Sequence, residues 1–96
     1  MITKFNKTNH FWEQTWERGI YQHEIDKITE QIDNKKLKGK SRIIVGKEQL
    51  KELGLKTKDD CLILIAKGNL LITTFFVDNL YNYLESQQEK INTIIL

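Results

Sequence analysis

Residues 9–20 read NHFWEQTWERGI and hold the side chains of this chain that are best suited to chemistry. His10, Gln14 and Arg18 recur every four residues, so in a helix they form one polar stripe. A neutral imidazole can take the proton of an RNA 2′-hydroxyl, and a guanidinium can bind the phosphate as negative charge develops on it. The stripe therefore fits metal-independent cleavage of RNA, and it equally fits an ordinary solvated helix surface.

The same segment carries a cluster of aromatic residues. At 100° per residue, Phe11, Trp12, Thr15 and Trp16 fall on the side of the helix away from the polar stripe. Each large aromatic side chain buries roughly 150–250 Å² when it packs in a core. We therefore expect Trp12 and Trp16 to anchor the helix in the core, with base stacking as an alternative role.

Three further sets of residues are candidates for the same site. His23 follows the turn after Arg18, so it can face the same cleft or simply lie on the surface at the start of the next helix. Thr73 and Thr74 point to opposite faces of one predicted strand, so one can line a site while the other packs. A basic segment can follow an RNA backbone or be merely solvated; it comprises Lys35, Lys36, Lys38, Lys40, Arg42 and Lys47.

Composition limits the class of protein. The chain has 96 residues, 40% of them hydrophobic and 29% charged, which is typical of one globular domain spanning residues 1–96. Fifteen basic and thirteen acidic residues give a net charge of +2, so a case for nucleic acid depends on where the charges lie. No apolar run is long enough to span a bilayer, and residues 1–4 lead into no secretion signal, so we expect a cytoplasmic domain without membrane contact.

Cys61 is the single cysteine, so it has no internal disulfide partner. It lies in an apolar run, where a free cysteine behaves as a small core residue. Cys61, His10 and His23 do not approach the spacing of zinc ligands. The sequence predicts no metal and no cofactor.

Two helices are expected before the main strands. A first helix, capped by Thr8 or Asn9, ends at Gly19, and Ile20 packs back against it. Isoleucines at helical spacing then predict an amphipathic second helix over residues 21–34; they are Ile25, Ile28 and Ile32.

The remaining chain is richer in β-branched residues. We expect a strand at residues 42–46, a short helix ending at Gly54, two apolar strands joined at Gly68-Asn69, and a weaker helix at residues 79–90. Residues 91–96 carry four apolar side chains, so they should form a strand or docked segment that completes the sheet or pairs with a second chain. The fold class is α+β, with two N-terminal helices packed on a three- to four-stranded, mostly antiparallel sheet.

Residues 10–20 resemble the opening signature of a family of small, mostly uncharacterised bacterial domains. The pattern is a histidine, two apolar residues, Glu-Arg, two variable residues and Glu-Arg-Gly-Ile, with a closing strand that ends in a Thr-Val-Tyr-like run. Such domains resemble RelE- and ParE-type toxins and the wider group of barnase-, EndoU- and colicin-like ribonuclease folds. The similarity covers about residues 8–78, and its matching positions are His10, Glu13, Glu17, Arg18, Gly19, Ile20 and the TFFVD run from Thr74.

The resemblance implies a RelE-like or barnase-like fold and a metal-independent RNA-cleaving toxin that an antitoxin or immunity partner neutralises. It implies that His10 is the general base or acid, Arg18 the phosphate clamp and Thr74 a hydrogen-bond donor. RNA contacts are expected from a second group, which comprises Gln14, His23, Lys36, Lys38, Lys40 and Arg42. The domain would act in the cytoplasm, made there or delivered as part of a secreted protein.

Gln14 departs from the family pattern, which commonly has its first arginine at this place. A glutamine still donates a hydrogen bond to a phosphoryl oxygen, but it supplies no fixed charge. Lys40, Arg42 and Lys47 are the nearest cations that can replace that charge. The departure also supports an alternative function, a non-catalytic interaction or inhibitor module such as a phage or mobile-element accessory protein. Separately, the apolar C-terminal segment leaves a homodimer through residues 91–96 as a further possibility.

Overall fold

The computed structural model describes residues 5–32, 34–55, 57–87 and 91–96. Within them, none of the helices is long and apolar enough to cross a membrane. In chain order the elements are β1 (Asn6–Lys7), α1 (Asn9–Glu17), α2 (Gln22–Glu30), a 3-10 turn (Asn34–Lys36), β2 (Lys40–Gly46), α3 (Lys47–Glu52), β3 (Cys61–Lys67), β4 (Leu70–Val77), α4 (Leu80–Ser86) and β5 (Asn92–Ile95).

The sheet has five strands in the order β1-β4-β3-β2-β5. The central strands β2, β3 and β4 are antiparallel, as predicted, whereas β1 runs parallel to β4 and β5 runs parallel to β2. The α+β class is confirmed, but the predicted three or four mostly antiparallel strands become five in a mixed sheet. β1 could not be predicted because it has only two residues, too few for a period-two pattern. The parallel direction of β5 follows from α4, which carries the chain back across the sheet before β5 begins.

Both faces of the sheet are covered, as the apolar composition of β3 and β4 predicts. One face, called here the α1–α3 face, packs the first three helices on a core that includes Phe11, Ile25, Leu50 and Leu64. The opposite face, called here the α4 face, packs Leu80 and Tyr83 on a smaller cluster that includes Ile44, Cys61, Ile63, Ile65 and Val77. Alternating residues of each central strand therefore belong to different clusters.

α1 begins and ends where its local sequence predicts. The hydroxyl oxygen of Thr8 accepts a hydrogen bond from the Phe11 N–H at 3.0 Å, which caps the first turn. At the other end Gly19 has φ of 66°, and Ile20 N–H donates to the carbonyl of Thr15 at 2.9 Å. This is a Schellman stop, and it places Ile20 in the core.

Cys61 is fully buried on the α4 face, as predicted for a core residue. Burial raises the pKa of its thiol, and the nearby carboxylates of Asp60 and Asp59 raise the pKa further. The thiolate is the reactive form of cysteine, so both the raised pKa and the burial protect the side chain.

We expect iodoacetamide at pH 8 to alkylate Cys61 in the folded protein slower by on the order of 100-fold than in the urea-unfolded chain, because reaction must wait for opening of the core. Mass spectrometry of samples quenched over time measures both rates. Equal rates in the two states would contradict this placement of Cys61.

Candidate functional site

α1 lies over β4, near the β1 edge of the sheet. The Thr8 N–H donates to the Leu71 carbonyl at 3.1 Å, and the Thr8 hydroxyl donates to the Ile72 carbonyl at 3.0 Å. These contacts tie the start of the helix to the main chain of β4. His10, in the first turn of α1, is held by this anchor with its side chain exposed to solvent.

Gln14 and Arg18 form one unit on the surface of α1. Nη1 of Arg18 donates to the side-chain oxygen of Gln14 and also lies 3.4 Å from the Gln14 main-chain carbonyl. It lies 3.8 Å from a carboxylate oxygen of Glu17. A guanidinium only donates hydrogen bonds, so the contact assigns the amide oxygen of Gln14 to Arg18 and leaves its NH₂ group as a donor for another partner.

The spacing along α1 decides which groups can act on one phosphate. Four helical residues rise by about 6 Å and eight by about 12 Å. His10 and the amide of Gln14 are therefore one turn apart, whereas Arg18 lies two turns from His10 and is held by Gln14 and Glu17. The structure brings Gln14 and Arg18 together, and it does not bring the Arg18 guanidinium next to His10.

Thr74 lies on the α1–α3 face and is fully buried. Its hydroxyl donates to the main-chain carbonyl of Ile63 at 2.9 Å. Thr73 is the half-buried member of the pair and points to the opposite face. A role for Thr74 as hydrogen-bond donor to a substrate does not fit this position, because its hydroxyl is enclosed and already engaged.

His23 is exposed in the first turn of α2. Its ring stacks on Tyr21, with 5.8 Å between the centroids and 9° between the ring planes. The described contacts of His23 are therefore with its own helix start, and they do not join it to the polar stripe of α1.

The prediction that both tryptophans anchor the core is wrong. Phe11 and Thr15 are the buried residues of α1, whereas Trp12 is 36% exposed and Trp16 is 87% exposed. The anchor of Thr8 on β4 sets the rotation of the helix so that Phe11 points inward. Each tryptophan lies about 100° further round the helix than the buried residue before it.

The exposed rings of Trp16 and Tyr21 form an aromatic surface beside the end of α1. Trp16, together with Tyr21 (67% exposed), borders a pocket of about 240 Å³, and Thr15, Gly19 and Ile20 complete its lining. Exposed tryptophan and tyrosine side chains are typical of protein interfaces, where they supply much of the binding energy.

No family model, no curated protein and no solved structure matches the chain.

The lysines of residues 35–38 lie at the other edge of the sheet from α1. Lys36 and Lys38 are exposed and line a pocket of about 290 Å³ beside β5, with Lys35 as a further lining residue. Lys40 is exposed at the start of β2. Neighbouring strands are about 4.8 Å apart, so β4 below α1 and β5 beside the lysines are separated by about 14 Å. The structure therefore does not bring His10 next to Lys36 or Lys38.

Arg42 lies in the centre of β2 and points to the α4 face, away from α1. Its side chain is buried, and the residue is 5% exposed. The guanidinium lies 5.3 Å from the ring of Tyr83, and Nη2 lies 3.4 Å from the side-chain oxygen of Gln87. Nε has no hydrogen-bond partner among the described residues. Arg42 therefore does not replace the charge missing at Gln14. Lys47 is exposed at the start of α3, which packs on β2 and β3, whereas α1 packs on β4.

Replacing Arg42 with methionine is expected to raise the free energy of unfolding by about 1–4 kcal/mol, because a buried charge with few partners is destabilising and a thioether fills similar space. Chemical denaturation measures the change. Lys40→Met is the matched control at an exposed position of the same strand face. A lower stability of Arg42→Met than of the parent would show that the guanidinium is a net stabilising group.

Proposed function

We propose that this chain is a metal-independent RNA-cleaving toxin domain of RelE-like or colicin-like type, with a RelE-like or barnase-like fold. It would act in the cytoplasm and be neutralised by an antitoxin or immunity partner. The supporting observation is the exposed imidazole of His10 one helical turn from the amide of Gln14, whose oxygen is held by Arg18. A base and a neutral donor at this spacing can contact one phosphodiester.

In this proposal His10 removes the proton from a ribose 2′-hydroxyl. The 2′-oxygen bonds to the adjacent phosphorus as the bond from phosphorus to the 5′-oxygen breaks, and the leaving oxygen takes a proton from water. The hydroxide that this forms takes the proton from His10, which restores the neutral imidazole. The products are a 2′,3′-cyclic phosphate and a free 5′-hydroxyl. The NH₂ group of Gln14 donates to a non-bridging oxygen, where charge builds in the transition state. Arg18 acts as a positioning residue, because it orients the Gln14 amide.

Incubation of the purified protein with labelled RNA in EDTA tests the proposal. We expect fragments that end in a cyclic phosphate, and growth arrest when the chain is expressed in a bacterial host. Intact RNA together with normal growth would overturn the proposal.

Gln14→Arg is expected to raise kcat/KM for RNA by about tenfold or more, because a guanidinium at this position stabilises the developing charge better than an amide. Steady-state cleavage of a fluorogenic oligonucleotide measures the change. Gln22→Arg adds the same charge at an exposed position of α2 and should leave the rate unchanged. An equal effect of both substitutions would indicate general electrostatic attraction of RNA.

A second candidate function is a non-catalytic interaction or inhibitor module, and it is favoured by the exposure of Trp16 and Tyr21. Under this alternative, expression does not arrest growth, and the chain binds a host protein through its aromatic surface. Trp16→Ala should then abolish that binding while His10→Ala leaves it intact. The reverse result would favour the polar stripe.

A further inference from the structure

β5 ends the sheet with one side unpaired among the described strands. The Leu96 N–H donates to the Ile44 carbonyl at 2.9 Å, so Leu96 directs its main-chain groups toward β2. Along a strand, the main-chain N–H and carbonyl groups of successive residues point to alternate sides. The main-chain groups of Ile94 therefore also point toward β2, whereas those of Thr93 and Ile95 point to the free edge. An edge of this kind can accept one more strand.

Lysines lie directly beside this edge. Lys35, Lys36 and Lys38 line the same pocket of about 290 Å³ as the residues of β5. The segment is held there because the side-chain amide of Asn92 donates to the Lys36 carbonyl and, at 3.1 Å, to the Ser41 hydroxyl. Residues 34–58 carry nine basic and two acidic residues, which gives +7 in a chain whose total is +2. The three lysines beside the free edge therefore belong to the most basic stretch of the sequence.

We propose that the free edge of β5 binds an extended, acidic segment of a partner protein, which pairs as a sixth strand and places carboxylates beside Lys36 and Lys38. The site is at the opposite edge of the sheet from α1, so the proposal is independent of RNA cleavage by the polar stripe. Lysines beside an edge strand also repel basic strands, so the same side chains favour an acidic partner.

A peptide fits this surface better than RNA does. A strand both donates and accepts hydrogen bonds, so it pairs with the N–H and carbonyl groups of Thr93 and Ile95 together. Phosphates only accept hydrogen bonds and leave the carbonyls unpaired. Ile95 is 75% exposed, and a side chain of an added strand covers it, which a phosphate backbone does not.

The probe is an end-blocked octapeptide of alternating glutamate and valine, and NMR amide hydrogen exchange is the measurement. We expect the peptide at saturation to slow exchange of the Thr93 and Ile95 amides by about tenfold or more, since strand pairing protects these groups. An octapeptide of alternating lysine and valine should not protect them. Failure of the glutamate-valine peptide to protect either amide would overturn the proposal.

Two pairs of variants separate charge from strand pairing. Lys36→Glu with Lys38→Glu should weaken peptide binding by about tenfold, whereas Lys51→Glu with Lys58→Glu, the same change at exposed positions elsewhere, should alter it by less than about twofold. Thr93→Pro removes an outward N–H that is not used inside the sheet, so it should abolish binding and keep the melting temperature. Unchanged binding by Thr93→Pro would overturn strand pairing.

Other occupants give distinct results, each of which overturns the proposal. Equal binding of octaglutamate without amide protection would indicate attraction by charge alone. Tighter binding of a uridine octanucleotide than of the glutamate-valine peptide, lost in Lys36→Glu with Lys38→Glu, would assign the lysines to RNA. Protection of Thr93 and Ile95 that rises with protein concentration, without peptide, would assign the edge to a second copy of this chain.

Discussion

Replacement of His10 by alanine is expected to lower the rate of RNA cleavage by about 10²–10⁴-fold, the usual contribution of a general base. His10 is exposed and in the first turn of α1, so the substitution removes the imidazole without opening the core. Helix and fold should be preserved, because the cap at Thr8 and the buried Phe11 are untouched. Single-turnover cleavage of a short oligonucleotide in EDTA measures the chemical step.

His23→Ala is the matched control, since His23 is the other histidine of the chain and is also exposed. It should leave the cleavage rate unchanged and disturb only the stacking on Tyr21. Added imidazole should restore part of the rate of His10→Ala, because it supplies the missing base. Full activity of His10→Ala would remove this residue from the mechanism and, with it, the proposed role of the α1 stripe.

Features specified by neighbouring residues could be predicted from the sequence. The hairpin of β3 and β4 turns at Gly68, which has φ of 57°, and α1 stops at Gly19 with Ile20 packed behind it. These predictions are confirmed because glycine at a positive φ and apolar runs on either side act over a few residues. The second helix is likewise confirmed in type, although its regular part is Gln22–Glu30.

The rotation of α1 could not be predicted in the same way. A helical wheel groups Phe11, Trp12, Thr15 and Trp16 on one side, and hydrophobicity alone favours the two indoles as the buried pair. The rotation of the helix is set instead by the contacts of Thr8 with β4, and these contacts join residues that are distant in sequence. The pairing of Gln14 with Arg18 was within reach of the sequence, because the two residues are four apart in a helix.

The position of Arg42 depends on the strand register. In the sequence it is one of several cations between residues 35 and 47, and nothing local distinguishes it from the lysines. Within β2, Arg42 precedes Ile43, whose side chain packs in the core under the helices. Successive side chains of a strand point to opposite faces, so the side chain of Arg42 points to the α4 face. Burial there follows from α4, a later element whose Tyr83 lies over the guanidinium.

Deletion of residues 91–96 is expected to lower the free energy of unfolding by about 4 kcal/mol or more, a large part of the usual 5–15 kcal/mol of a small domain. The deletion removes β5 and exposes the outer main-chain groups of β2. It also removes Ile94, which is 7% exposed and packs in the core under the helices, and such a side chain contributes about 1.5–3 kcal/mol by burial. Leu96 packs against the same core. In a domain of this size the loss corresponds to a decrease of about 15–30 °C in melting temperature.

Ile94 and Ile95 provide an internal control for this role of β5, because they are adjacent and point to opposite faces. Ile94→Ala should cost about 2–5 kcal/mol through the cavity left in the core. Ile95→Ala should change stability by less than about 0.5 kcal/mol, since its side chain is 75% exposed. Thermal and urea denaturation of both variants measure the difference. If the two substitutions have equal effects, or the deletion leaves the melting temperature unchanged, then residues 91–96 do not form the stabilising edge strand of this sheet.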